Sequence, residues 1–117
     1  MTLMKRFIFA GLLLALLTAC GPFSKPNAEV SFHELILSVK NLDKDAWSGC
    51  QYILNASAGA ENQYVYEAGD VPGLDSQAVL ATSFIKADGK RFIPVITKAT
   101  DVTIQCKNPG QPFSQAL

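Results

Sequence analysis

The chain has 117 residues, with ten Lys plus Arg against ten Asp plus Glu, so its formal net charge is zero. That balance leaves no overall field to draw in a polyanion, which argues against nucleic acid as a partner. The length past the first twenty residues suits one small domain with a core of its own, on the small side for an unaided fold.

Residues 1–19 read as a leader. Lys5 and Arg6 are the only ionisable side chains ahead of Cys20, Phe7 to Leu17 is an uninterrupted apolar run, and Thr18-Ala19 brings small residues up to the cysteine. This is the three-part plan of a secretory signal peptide, with a helix in its apolar part. A membrane-spanning helix needs about 20 apolar residues. The run here is shorter, and Gly21-Pro22 stops a helix directly after it. Without Lys5 and Arg6, eight basic residues face ten acidic ones, so the remainder is mildly acidic.

Leu17-Thr18-Ala19-Cys20 resembles the lipobox of bacterial lipoprotein precursors. The resemblance implies that the Cys20 thiol receives a diacylglycerol, that a signal peptidase cuts before it, and that the freed amine can be acylated as well. One acyl chain anchors marginally and two or three firmly, at about 0.8 kcal/mol per buried methylene. Gly21, with no Asp following the cysteine, implies an outer-membrane destination with the domain facing the periplasm.

Residues 20–27 then form the lipidated cysteine and a flexible tether, because Gly21 to Asn27 holds two prolines and turn formers without periodicity. The folded domain is expected over 28–117. With Cys20 lipidated, Cys50 and Cys106 remain as an even pair in an oxidising compartment, where one disulfide is the expected outcome. No Cys-x-x-Cys spacing and a single histidine leave a redox pair or a metal centre without support, and no cofactor is expected.

Strand patterns fill the domain. Val30 and Phe32 alternate on one parity and Leu35, Leu37 and Val39 on the other, so a bulge or break is expected near His33-Glu34. Cys50, Tyr52 and Leu54 share a face of a second strand, Tyr64-Val65-Tyr66 forms a third, and Gln77 to Lys86 a longer fourth. Asp88-Gly89 supplies a hairpin turn. Arg91 to Ile96 returns from it, with Pro94 forcing an edge or a strand end. Asp101 to Cys106 is the last expected strand, and no segment past the leader carries an amphipathic helical stripe over three turns. The expected fold is all-β: one small sandwich of about six or seven antiparallel strands.

The Cys50 and Cys106 pair, with Trp47 close by as a core aromatic, resembles the stapled immunoglobulin-like or fibronectin-III-like sandwich. That resemblance implies a disulfide running between the two sheets. Spaced residues from Asn41-Leu42 through Gly89-Lys90-Arg91-Phe92-Ile93-Pro94 to Val102-Thr103-Ile104-Gln105-Cys106 also resemble a pattern of small exported β-sandwich domains.

Catalytic groupings are sparse. His33 is the single histidine and no Gly-x-Ser-x-Gly elbow accompanies it, so a solvated histidine is the simpler reading than a base. Asp43, Asp45, Asp70 and Asp75 fall in expected loops and lack the oxygen-rich spacing of a calcium loop. Tyr64 and Tyr66 offer a binding surface if they face outward, and a core face if they do not. Lys86, Lys90 and Arg91 form a small basic tip, and Asn55-Ala56-Ser57 matches a glycosylation acceptor by accident. These features lead to the expectation of a non-enzymatic binding or assembly module of the cell envelope with a protein partner. The alternative is a periplasmic inhibitor of a wall-degrading enzyme such as lysozyme, acting through residues 68–76.

Overall fold

A computed structural model describes residues 24–117. The signal peptide expected at 1–19 and the expected lipidation site Cys20 lie outside the described residues. The elements are strands β1 (Ala28–His33), β2 (Ile36–Asn41), β3 (Trp47–Leu54), β4 (Tyr64–Val71), β5 (Ser76–Leu80), β6 (Asp101–Gln105) and β7 (Phe113–Ala116), with short 3-10 turns at Ala56–Ala58 and Ala81–Ser83. They form two antiparallel sheets, β1-β2-β5 and β4-β3-β6-β7. The chain changes sheet after β2, after β4 and after β5. This is the Greek-key order of an immunoglobulin-like sandwich.

The β1–β2 connection explains the parity switch read as a bulge. His33 pairs with Ile36 across a two-residue turn whose central residues, Glu34 and Leu35, both have positive φ, 50° and 72°. Partners such as Val30 and Val39, or Phe32 and Leu37, then carry numbers of opposite parity yet face the same side. The region is therefore two strands instead of one bulged strand.

That correction moves Cys50 to the third strand. Cys50 and Cys106 are disulfide-bonded as expected. However, β3 and the strand leading into Cys106 are neighbours in one sheet, so the bond joins adjacent strands and not the two sheets. The sheets are held together instead by apolar packing of Leu37, Val39 and Val79 against Trp47, Tyr52, Leu54, Val102 and Ile104. Hydrogen bonds also cross the sandwich, from the Tyr52 hydroxyl on β3 to Gln77 Oε1 on β5, from Gln115 Nε2 on β7 to the Val30 carbonyl on β1, and from Asn41 Nδ2 on β2 to the Val71 carbonyl on β4.

Three further boundaries differ from expectation. The strand read over 77–86 stops at Leu80, because Ala81–Ser83 turns before Phe84 reaches the core. The hairpin around Asp88-Gly89 forms, with Gly89 at φ 87°, but its arms meet through a single bridge at Ile85–Arg91, and a second bridge, Ile85–Val65, ties it to β4. A seventh strand, β7, follows the one taken as last.

The pole where the domain begins is tightly fastened. Buried Asn41 donates its side-chain amide to the carbonyls of Asp45, Val71 and Pro72, and accepts the Asp43 amide. Asp43 Oδ2 accepts from Trp47 Nε1 at 2.9 Å and from the Asn27 amide at 3.2 Å. The Leu42 amide bonds the Asn27 carbonyl, the Gln111 amide bonds the Ser24 carbonyl, and Pro26 is buried. Residues 24–27, expected as tether, are thus bound along the domain.

Candidate functional site at the apolar pole

The opposite pole is built differently. The Glu34-Leu35 turn presents Leu35 to solvent, and its carbonyl accepts the Ala81 amide at 2.8 Å, which brings the end of β5 alongside. Ile36 and Leu80, paired across β2 and β5, expose their side chains on the outer face of that sheet. Positive φ at two non-glycine residues costs of order 1–3 kcal/mol each, and such strain clusters where a fold serves a further purpose.

A loop rises beside this hairpin. Phe92 anchors it, buried edge-on against Tyr64 at 5.1 Å between ring centres, with its amide bonded to the Phe84 carbonyl. The Ile93 carbonyl accepts both the Ile96 and Thr97 amides, closing a tight turn. At the far end, buried Asn55 donates to the Lys98 carbonyl and accepts from the Thr100 amide and hydroxyl. Both feet are therefore fixed, while Val95 and Ile96 at the tip are 92% and 78% exposed. Together with Leu35, Ile36, Leu80 and Ile93 they concentrate exposed aliphatic surface at one pole. Scattered apolar residues are ordinary on a surface, but a concentration on a rigid loop marks a binding site. A shallow cleft of about 310 Å³ between Phe32, Leu35, Phe92 and Pro94 joins hairpin and loop.

The residues singled out from the sequence take other roles. Tyr64 is buried, and Tyr66 is half-buried between Tyr52 and Phe84, with ring centres at 6.2 and 5.6 Å. They occupy the core face of β4, because residues two apart on a strand share a side, which is the second of the two readings their spacing left open. His33 stands in solvent, 86% exposed, with Glu34 Oε1 at 3.6 Å. Asn55 is buried and its amide donates to the Lys98 carbonyl, so its match to a glycosylation acceptor is not displayed at the surface.

Among the described residues two ionisable groups are perturbed. Burial, reinforced by Tyr66, raises the Tyr52 phenol far above its ordinary value, so it stays protonated as a donor. Asp101 feels some burial, which raises its pKa, but hydrogen bonds from Ser57, Thr100 and nearby amides outweigh this and hold it below the ordinary value. It is an ionised acceptor that fastens the 56–58 turn to β6. Residues 68–76 form the end of β4 and a turn bonded to Asp43 through the Leu74 amide, and do not project as a blocking loop.

Sequence reasoning missed the apolar pole. Its one signal was Pro94 inside the run Ile93-Pro94-Val95-Ile96, where a proline in a strand-like segment argues against a strand. Comparison with family models, curated proteins and solved structures finds no match to this chain.

Proposed function

We propose that the chain is an exported, lipid-anchored binding module of the bacterial cell envelope, recognising a protein partner through its apolar pole. The observation that carries this reading is the placement of Val95 and Ile96 on a fastened loop at the end of the sandwich remote from Asn27. Strand β1, six residues long, separates the two poles by about 20 Å.

The lipobox at Cys20 supports anchoring at the opposite end. Only Gly21, Pro22 and Phe23 lie between that cysteine and Ser24, a reach of about 10–14 Å. A monomer held this closely turns the Asn41–Trp47 pole toward the bilayer and the apolar pole outward, where a partner meets it. Lys98, which lines the cleft, and Arg91, which donates to the Thr82 carbonyl just past β5, favour a partner whose apolar socket has an acidic rim. Inhibition of a wall-degrading enzyme through residues 68–76 draws no support from the way that segment is packed.

The test is photo-crosslinking in cells from position 95, with position 44 at the other pole as control. A discrete adduct with one envelope protein from position 95 alone is expected. Equal adducts from both positions, or none from 95, refute the reading. Fatty-acid labelling that persists in Cys20→Ser refutes the anchor separately, and lysozyme inhibition by the wild type that Val95→Asp leaves intact would favour the inhibitor.

A further inference from the structure

The free edge of β5 is open to a strand. Hydrogen bonds from the Asn41 amide to the Asp75 carbonyl and from the Ala81 amide to the Leu35 carbonyl bracket the β2–β5 pairing and fix its parity. Gln77 and Val79 therefore direct their backbone groups at β2, while Ser76, Ala78 and Leu80 direct theirs away from the sheet. Among the described residues β5 pairs with no strand on that side.

Natural edge strands are guarded by charge, proline, bulges or cover. The other three edges of this sandwich have such guards. β4 carries Glu67 and Asp70 and is partly covered where Val65 and Ile85 exchange backbone hydrogen bonds. β1 carries Glu29, and its Val30 carbonyl is taken by Gln115. β7 is only four residues long and follows Pro112. β5 reads Ser-Gln-Ala-Val-Leu, with no charge and no proline.

We infer that β5 pairs with β5 of a second copy of this chain, antiparallel about a two-fold axis through Ala78, giving one sheet of order β1-β2-β5-β5-β2-β1. In that register Ser76 of each copy meets Leu80 of the other, and Ala78 meets Ala78. Each pair exchanges backbone hydrogen bonds, because these are the residues whose groups point outward. The edge suits a second copy because an isologous contact sets each side chain against its symmetry mate's surroundings. A charged edge would repel itself, and this one has none. Small side chains at 76 and 78 leave the axis free of clashes. Both copies keep Ile36 and Leu80 on the same outer face, but in this register the two pairs lie at opposite ends of the joined strands with Ser38 and Ala78 between them. The two apolar poles point in opposite directions, so the dimer and the upright anchored monomer are alternative arrangements. A short strand edge buries less than a standard interface, so the association is weak and concentration-dependent.

Sedimentation of the purified full chain in detergent, from micromolar to millimolar concentration, tests this. The wild type is expected to shift from monomer toward dimer, and Ala78→Pro to remain monomeric throughout. Proline is tolerated there because the amide it removes faces away from β2. Ala78→Lys, which folds without backbone change, should do the same. In a Cys20→Ser chain, Ala78→Cys should form an intermolecular disulfide under mild oxidation at least tenfold faster than Ser38→Cys, on the outer face of the central strand. A monomer at every concentration, association unchanged by both substitutions at 78, or equal cross-linking from 38 and 78 overturns the inference.

Discussion

The Tyr52 hydroxyl on β3 and the Gln77 amide oxygen on β5 meet across the interior, joining two sheets that the disulfide does not join. Tyr52 is buried and its phenol is held protonated, so the donor is always available. Tyr52→Phe leaves Gln77 without this partner and should cost about 1 kcal/mol, with Gln77→Leu costing less, since it replaces the acceptor by apolar volume. A thermal double-mutant cycle measures the coupling. Strict additivity of the two changes would show that the pair contributes nothing.

The Cys50–Cys106 bond closes a long loop, with a sequence separation of 56, between neighbouring strands. In the chain-entropy model it stabilises the fold by about 4 kcal/mol. Replacing both cysteines by Ala should lower the melting temperature by roughly 15 °C or more, at about 4–8 °C per kcal/mol for a domain of this size. Non-reducing mass analysis of the wild type should find the pair oxidised. Two free thiols, or an unchanged melting temperature, would contradict this.

What could be read in advance was what strand periodicity and cysteine pairing encode. Inward Leu37, Val39, Tyr52, Leu54, Val102 and Ile104 were legible because alternation is a local signal. The turn at Glu34-Leu35 was not, since neither residue is the Asn or Gly that normally announces positive φ. That one hidden turn also misplaced the disulfide relative to the sheets. β7 was missed because Phe113-Ser-Gln-Ala has a single large apolar residue. The apolar pole was read as strand because Ile93, Val95 and Ile96 have strand-like side chains, and nothing local says that they end in water.

Gly73 marks a tight approach at the pole where the domain begins. A Cβ there would lie 1.9 Å from the Lys44 carbonyl oxygen, which is backbone and unable to yield cheaply. Gly73→Ala should push the 41–47 and 71–75 segments apart and destabilise the domain by about 1–3 kcal/mol. Denaturant titration checks this, and a variant as stable as the wild type would mean that the two segments do not pack as described.

Acid sensitivity has an identifiable contributor. Asp101 titrates below its ordinary value in the folded state, through the hydroxyls of Ser57 and Thr100 and nearby amides, which together outweigh its modest burial. The stability it contributes is complete above the unfolded carboxylate pKa, about 3.9. It is lost as pH falls through the lower folded value. Asp101→Asn should therefore flatten the stability profile below pH 4 while lowering the neutral plateau. Parallel acid limbs for the two proteins would exclude Asp101 as the source.

The strained hairpin offers the sharpest separation of fold from function. Glu34 and Leu35 both sit at positive φ, where Asn-Gly would sit with little cost, yet the chain places an exposed leucine there. Replacing both, Glu34→Asn with Leu35→Gly, should raise stability by about 1 kcal/mol or more by relieving the backbone. The same change removes the leucine that borders the cleft with Phe92 and Pro94. If the hairpin is strained because its apolar side chain serves recognition, the variant should melt higher and give a weaker adduct from a crosslinker at position 95. A variant that melts lower than the wild type would show that Leu35 is held for packing, and a stabilised variant with undiminished adduct would place recognition on the 93–96 loop alone.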